Sequence, residues 1–169
     1  MVDNKVRDNI AYAISQINEI RKEKPGKKML HKLLYLAQAE KVDLNLDYGI
    51  HFYGPYSSTL DASVAILATE DIVRFEYRGC AHLMEINDEY HVSSSLEEAD
   101  EEKLREVIKK YKDKTPTQLE LLTTTHYVKE NISQADEKSI IAGVKKIKAD
   151  KYSDTAIREA INELNLFAV

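Results

Sequence analysis

The chain has 169 residues, of which 43% are hydrophobic and 31% are charged, and its formal net charge is −5. This length suffices for one core, and the acidic balance argues against general nucleic-acid binding, which depends on clustered lysine and arginine. The only cysteine, Cys80, excludes an internal disulfide. With no apolar leader and no apolar run of about 20 residues, we expect a cytoplasmic protein without a membrane span.

The first half of the chain predicts helices and short strands in alternation. Apolar residues three and four positions apart predict a helix over residues 3–23, and a second helix, 28–41, is apolar nearly all round. Residues 48–53 alternate like a strand, and Gly54-Pro55 breaks the chain before a third helix. Ser58 and Asp61 predict a capping box for that helix. A hairpin over residues 72–92 follows.

This order of elements is that of a winged helix-turn-helix. We therefore expect a winged-helix-like core over residues 1–95, with a small β-hairpin or short antiparallel sheet. Further helices are predicted from Leu96, from Thr115-Pro116, and over residues 136–149 and 153–165. They form a helical extension, residues 96–169, packed on the core. The predicted fold is mainly α (α+β), in a single domain over residues 1–169.

Few residues have the spacing of a catalytic or metal site. Cys80 and His82 lie two apart on a predicted strand, without a third group to orient the imidazole. The five histidines lack zinc-ligand spacing, so we expect no metal and no cofactor. His126 and Glu130 are interpreted as a hydrogen-bonded pair on one helix. No enzymatic activity is predicted, and an enzyme built on Cys80, His82 and His126 is the least favoured alternative.

DNA binding is a stronger alternative, because the predicted topology suggests it. The candidate recognition helix, residues 57–71, contains no lysine or arginine and ends in Glu70-Asp71. Recognition helices use polar and basic side chains to reach bases and phosphates. The lysines between Lys22 and Lys32 form a basic cluster, which is more typical of a solvated surface beside a turn. Nucleic acid is not an expected partner, and a winged-helix transcription regulator is kept as the alternative.

Aromatic residues are concentrated around the predicted strand. The chain has ten tyrosines and no tryptophan. Tyr48, Phe52, Tyr53 and Tyr56 lie within nine residues. Tyrosine combines a large rigid contact area with a polar tip, so it suits both protein interfaces and half-buried shells around a core. The cluster therefore has two open interpretations, a partner-binding surface or a group that closes the core.

Three sequence blocks resemble a known family: Lys32 to Gln38 (KLLYLAQ), Phe52 to Ser57 (FYGPYS) and Glu120 to His126 (ELLTTTH). They span about residues 28–130 and resemble the Panacea antitoxin domain, also called SocA-like, especially its uncharacterised YwgA-like bacterial branch. The tail from Lys145 to Leu166 is similar to the closing helices of that branch. The family's core motif would rest on Leu33, Tyr35, Gly54, Pro55, Tyr56 and His126.

The resemblance implies a non-enzymatic protein of bacteria or phages that acts as an antitoxin or a proteolytic adaptor. Its partner would be another protein, such as a toxin or a protease substrate, and a homodimer is one open arrangement. The predicted function is a cytoplasmic protein-interaction module. The predicted partner-binding residues are Tyr48, Phe52, Tyr53, Tyr56 and His126, and the predicted structural residues are Leu33, Tyr35, Gly54, Pro55, Ser58 and Asp61.

Overall fold

The computed structural model describes residues 1–167, so the last two residues of the predicted domain lie outside the described range. The described chain is mainly helical with two small antiparallel sheets, an α+β fold as predicted. No helix within residues 1–167 is both long and apolar enough to cross a membrane. In chain order, its elements are α1 (Asn4–Arg21), α2 (Lys27–Ala39), β1 (Gly49–His51), β2 (Gly54–Tyr56), α3 (Ser58–Thr69), β3 (Val73–Arg78), β4 (Ala81–Ile86), α4 (Glu98–Lys110), α5 (Pro116–Asn131), α6 (Glu137–Lys148) and α7 (Asp154–Glu163).

The helices α1 and α2 form the centre of the first core. The apolar stripe predicted for α1 is buried, and it consists of Val6, Ile10, Ile14 and Ile17. Every residue from Met29 to Ala37 is buried, as expected for a helix that is apolar nearly all round. This run includes two basic side chains, His31 and Lys32. Burial of such groups is costly unless each has a specific partner, so both direct attention to what packs against α2.

The first hairpin differs from the single strand predicted over residues 48–53. β1 and β2 pair in antiparallel register, with His51 opposite Gly54 and Ile50 opposite Pro55. Phe52 and Tyr53 therefore form the two-residue turn, and Gly54-Pro55 belongs to a second strand instead of ending the first. A proline is tolerated in an edge strand, because a position that faces away from the neighbouring strand needs no N–H for a ladder hydrogen bond.

The second hairpin, β3 and β4, confirms the predicted pair of strands. The ladder runs from Val73 opposite Ile86 to Arg78 opposite Ala81, so Gly79 and Cys80 form the turn. Gly79 has a φ of 60°, a left-handed conformation that glycine adopts without strain. Cys80 is exposed in this turn, which corrects its predicted place on a strand.

The start of α3 corrects the predicted capping box. Ser57, not Ser58, is the N-cap, and its hydroxyl accepts a hydrogen bond from the Leu60 N–H at 3.2 Å. The Ser58 hydroxyl instead donates to Asp47 at 3.0 Å. The Asp61 carboxylate accepts from a tyrosine hydroxyl and does not reach back to the cap. A carboxylate from the loop before β1, that of Asp47, thus accepts hydrogen bonds at the start of α3 in place of a local capping box.

The helix α5 belongs to both cores of the described chain. Its start has the capping box predicted from Thr115 and Gln118. Leu119 and Leu122 pack in the first core with α1 and α2. Farther along α5, Val128 packs in a second cluster with Ile140, Val144, Tyr152, Ile157 and Ile161. The predicted helical extension thus packs in the first core through both α4 and α5, while the assignment of the whole chain to one domain stays a prediction.

Candidate functional site

Two exposed aromatic side chains occupy the turn between β1 and β2, and we call Phe52 and Tyr53 the aromatic tip. Phe52 is 82% exposed and Tyr53 is 58% exposed. Their rings meet edge to face with centroids 5.1 Å apart. Ile50 on β1 is partly exposed as well. The tip therefore presents apolar surface to solvent at the end of a short hairpin.

The backbone on each side of the aromatic tip is held by a buried lysine. The Lys148 ammonium on α6 donates to the Phe52 carbonyl at 2.7 Å. The Lys32 ammonium on α2 donates to the Pro55 carbonyl at 2.6 Å. Hydrogen bonds from charged donors are stronger than neutral ones, especially away from water. The tip thus combines exposed rings with a fixed backbone.

A buried carboxylate lies next to this hairpin. Glu120 on α5 is fully buried, and it accepts hydrogen bonds from Lys28, Lys148 and Lys151. The Lys151 ammonium lies 3.0 Å from both carboxylate oxygens. Burial alone would raise the pKa of Glu120, but the hydrogen bonds from the lysines outweigh burial and lower it to about 2. The carboxylate is therefore ionised at neutral pH and joins α2, α5 and α6.

Gly54 allows the hairpin to approach α5 closely. Its φ is 92°, and a Cβ placed there would lie 2.8 Å from the Thr124 hydroxyl oxygen. The same Cβ would meet the Lys32 and Glu120 side chains at 3.4 and 3.5 Å. A residue with a side chain would both strain the backbone and push the hairpin away from α5. The resemblance implies that Gly54 is a motif residue, and in this chain a side chain at that position is excluded sterically.

Tyr56 lies in a stack of rings that connects β1, β2 and α2. Its ring stacks on His31 at a centroid distance of 4.6 Å and on His51 at 4.8 Å, and its hydroxyl donates to Asp61 at 2.8 Å. The Nδ1 of His31 accepts from the Ser57 N–H at 3.2 Å, which leaves the proton of the neutral ring on Nε2. Burial, and secondarily a neighbouring lysine charge, lowers the pKa of His31 to about 4. Most of the Tyr56 contacts are therefore internal.

Tyr48 and His126 belong to a separate aromatic cluster around Tyr35. The Tyr35 ring meets Tyr48 and His126 edge to face, at 5.1 and 5.5 Å. The Tyr35 hydroxyl is hydrogen-bonded to Nδ1 of His126 at 2.8 Å, so the interpretation that paired His126 with Glu130 is wrong. The Tyr48 hydroxyl donates to the His31 carbonyl at 2.9 Å. These rings close the core, in agreement with the second interpretation of the aromatic group.

A cavity of about 500 Å³ opens between α2 and the first hairpin. The Lys27 ammonium lies 5.4 Å from the ring centroid of Tyr56, and the Lys28 ammonium lies 5.4 Å from that of Tyr53. Among the described residues, no aspartate or glutamate is part of the lining. The lining consists of lysines, aromatic or imidazole rings and one glycine: Lys27, Lys28, His31, Lys32, His51, Tyr53, Gly54 and Tyr56.

The N-terminus of α3, where a recognition helix would meet DNA, is occupied by an internal carboxylate. Asp47 accepts from the hydroxyls of Ser57 and Ser58 at 2.8 and 3.0 Å and from the Thr59 N–H at 3.1 Å. Hydrogen bonds from Thr59, Ser57 and Ser58 hold the pKa of Asp47 well below its usual range. A negative charge at this position would repel a phosphate that approached the helix end.

Ion pairs also occupy lysines of the predicted basic cluster. The Lys24 ammonium lies 2.6 Å from Glu76 and 2.8 Å from Glu85, both on the second hairpin. The Lys27 ammonium lies 2.7 Å from Asp61 on α3. Phosphate contacts would have to compete with these carboxylates.

The residues of the enzyme alternative lie on separate elements. Cys80 is in the turn after β3, and the His82 ring on β4 packs against Tyr77 at a centroid distance of 4.7 Å. His126 is on α5 with Tyr35 as its hydrogen-bond partner. Residues 1–167 also hold no group of three or more His, Cys, Asp or Glu side chains placed to bind a metal ion.

The sequence located the aromatic tip but did not identify the charged cluster beside it. Phe52 and Tyr53 are exposed, Tyr56 is half-buried, and their role in partner binding stays a prediction. Glu120 and Lys148 are not among the residues that the sequence predicts for the site. One signal for Glu120 was present, because it is the only charged residue between Lys114 and Lys129. A lone acid in an apolar, threonine-rich helix indicates a buried charge with partners elsewhere in the chain.

Two comparisons with known proteins found no related protein. The chain matches no model of a known protein family, and a search of curated proteins finds no significant match. The fold and the site therefore define a mainly helical α+β protein with an exposed aromatic tip and a lysine-lined cavity beside a buried carboxylate.

Proposed function

We propose that this protein is a non-enzymatic interaction module that binds a partner protein through the aromatic tip. The observation that carries this proposal is the exposure of Phe52 and Tyr53 on a turn whose backbone is held by Lys32 and Lys148. Aromatic residues supply much of the binding energy at protein interfaces. A turn that is already fixed loses little conformational freedom on binding, which favours affinity.

The charges around the tip support a partner that offers apolar side chains flanked by acidic ones. The net charge of the chain is −5, yet Lys28 lies over the Tyr53 ring and Lys151 is partly exposed nearby on the Glu120 carboxylate. Complementary charge at the rim of an interface speeds association and selects partners. A second copy of this chain is the competing occupant, and the mass of the complex distinguishes the two.

The resemblance to the Panacea family favours an antitoxin or a proteolytic adaptor that acts in the cytoplasm. On this proposal the partner is a toxin or a protease substrate, and no reaction is catalysed. A winged-helix transcription regulator has less support, because Asp47 occupies the start of α3 and Lys24 and Lys27 are paired with carboxylates.

Photo-crosslinking at the tip tests the proposal directly. A photoreactive phenylalanine analogue replaces Phe52, the protein is irradiated in lysate of its host, and mass spectrometry identifies the captured protein. That protein is then purified, and its affinity is measured for the wild type and for a Phe52→Ser/Tyr53→Ser variant. We expect the variant to bind at least about tenfold more weakly, because loss of an interface aromatic costs about 2 kcal/mol or more.

Tyr77→Ser is the matched control, since Tyr77 is an exposed aromatic residue on the other hairpin, 68% exposed. This variant should bind like the wild type. Equal affinity of the tip variant and the wild type for the captured protein would contradict the proposal. Failure to crosslink any protein at the tip would count against it equally.

A further inference from the structure

The charges around Glu120 do not balance among the described residues. Four ammonium groups, those of Lys28, Lys32, Lys148 and Lys151, lie around this one carboxylate, and Lys32 and Lys148 are only 2% and 8% exposed. Four positive charges against one negative charge leave an excess of three. Buried charges are normally paired, because removing an ion from water is costly.

The excess of positive charge destabilises the charged form of one of these lysines, Lys32. Burial, together with the charges of Lys148 and Lys28, lowers the pKa of Lys32 to about 8, although Glu120 acts in the opposite direction. Among residues 1–167, the neutral Pro55 carbonyl is the only hydrogen-bond partner of the Lys32 ammonium. An additional negative charge close to Lys32 and Lys28 would therefore be stabilised strongly.

The cavity described above is placed where that charge is needed. Its lining includes Lys27, Lys28 and Lys32, and the described part of the lining contributes no carboxylate. The Lys27 side chain is more than half exposed, and its ammonium pairs with Asp61, which lies outside the lining. An oxyanion at Lys27 therefore shares that ammonium with Asp61. A concave site in which positive charge is in excess concentrates negatively charged solutes.

The size of the cavity and the rings in its lining indicate a ligand larger than a single inorganic ion. Ligand pockets in proteins range over roughly 300–1,000 Å³, and this cavity of about 500 Å³ is far larger than a single phosphate. His51 and Tyr53 are exposed members of the lining and offer flat faces to a planar group. The Nε2–H of the neutral His31 ring adds a hydrogen-bond donor.

We propose that the cavity between α2 and the first hairpin binds a small molecule that combines an oxyanion with a planar ring. The oxyanion, a phosphate ester or a carboxylate, lies among Lys27, Lys28 and Lys32, and the ring packs against His51 and Tyr53. This ligand site shares Tyr53 with the proposed partner surface, but Phe52 is not part of its lining. A nucleoside monophosphate is one molecule of this class.

Titration of the full chain with matched probes tests the proposal. Phenyl phosphate and adenosine monophosphate carry both groups, and benzoate replaces the phosphate by a carboxylate. Phenol, adenosine and inorganic phosphate each lack one of the two groups. NMR spectra of the histidine and tyrosine rings and of the Gly54 amide report binding at the cavity. We expect the two-group probes to shift the His31, His51, Tyr53 and Gly54 signals and to bind at least about tenfold more tightly than the one-group probes.

Two lysine variants and a control relate this binding to the cavity. Lys28→Gln and Lys27→Gln should each weaken binding of the best probe about tenfold, since a hydrogen bond to a charged group contributes about 1.5–3 kcal/mol. Lys27 is exposed, so its variant keeps the fold even if Lys28→Gln disturbs Glu120. Lys138→Gln, on exposed α6 surface outside the lining, should bind like the wild type.

Several outcomes would overturn the proposal. Absence of ring shifts with phenyl phosphate, adenosine monophosphate and benzoate at millimolar concentration would exclude the ligand class. Equal binding of phenol or adenosine would remove the role of the lysines, and equal binding of inorganic phosphate would remove the role of the rings. Unchanged affinity in a folded Lys27→Gln variant would place the ligand elsewhere. A preference for phosphate over benzoate, or the reverse, identifies which oxyanion the site takes.

Discussion

The ammonium of Lys148 donates to the backbone carbonyl of Phe52, 96 residues earlier in the chain, at 2.7 Å. The same ammonium binds the buried Glu120 carboxylate. One side chain of α6 therefore fixes the aromatic tip and neutralises part of a buried charge. These contacts explain why the first hairpin packs beside a helix that comes much later in the chain.

Lys148→Met should lower the free energy of unfolding by about 3 kcal/mol, because it leaves Glu120 and the Phe52 carbonyl each without one buried partner. Lys145→Met on the same helix is the control. Lys145 pairs with Asp154 at the surface, and such pairs contribute less than about 1 kcal/mol. Urea denaturation of both variants measures the difference. Similar losses for the two variants would mean that the buried contact contributes no more than a surface pair.

Glu120→Gln should destabilise the protein by about 3 kcal/mol at pH 7, because the neutral amide leaves buried ammonium groups uncompensated. The folded pKa of about 2 lies below the ordinary value of 4.5. The carboxylate therefore stabilises the fold fully above pH 4.5, and this contribution is lost as the pH falls towards 2. Denaturation curves of the wild type and the variant should converge over that range. A constant difference would show that Glu120 does not act through its charge.

His31 should make the fold sensitive to mild acid. The unfolded chain takes up a proton near the ordinary pKa of 6.5, whereas the folded ring does so only near 4. Stability is therefore complete above pH 6.5 and falls by about 3 kcal/mol between pH 6.5 and pH 4. His31→Asn keeps an acceptor for the Ser57 N–H and removes the titration, so its stability should vary less with pH. His126 contributes in the same direction, since burial also lowers its pKa, and part of the slope should remain.

Gly54→Ala should destabilise the fold by about 2 kcal/mol or more, since alanine is strained at a φ of 92° and its Cβ meets Thr124. Gly49 is the control on the same hairpin, because a Cβ there meets nothing within 4 Å. Gly49→Ala should change the free energy of unfolding by less than about 0.5 kcal/mol. Thermal denaturation compares them, and equal losses would contradict the close approach of the hairpin to α5.

Tyr53 and Tyr56 should respond differently to truncation, although they are three residues apart. Tyr53→Ala removes a largely exposed ring and should leave the unfolding curve nearly unchanged. Tyr56→Ala removes the stack on His31 and the hydrogen bond to Asp61, and should cost about 2 kcal/mol. Chemical denaturation of the two variants distinguishes a surface role from a structural one. A larger loss for Tyr53→Ala would reverse the two assignments.

The helices could be predicted because their signals are local. Apolar residues at helical spacing indicate the buried stripe of α1, and Thr115 with Gln118 marks the start of α5 within four residues. The start of α3 could not be placed in the same way. It depends on Asp47, which lies ten residues before Ser57 in the chain and becomes an acceptor only when the loop folds back.

The candidate site was only partly predictable for a similar reason. The aromatic residues beside the Gly-Pro pair can be seen in a short stretch of sequence, although their exposure cannot. The partners of Glu120 come from residues 28, 148 and 151, and nothing in a single sequence shows which lysines will meet which acid. The inward orientation of Tyr48 likewise depends on a hydrogen bond to His31, which lies on another element.

The attachment of the first hairpin at two points limits how this chain could be shortened. Lys32 holds one flank of the tip from within residues 1–95, but Lys148 holds the other from α6. A fragment that ends before α6 would keep every residue of the hairpin and lose half of its support. The supported hairpin is therefore assembled from distant parts of the chain, and it has to be inherited, transplanted or expressed together with α6.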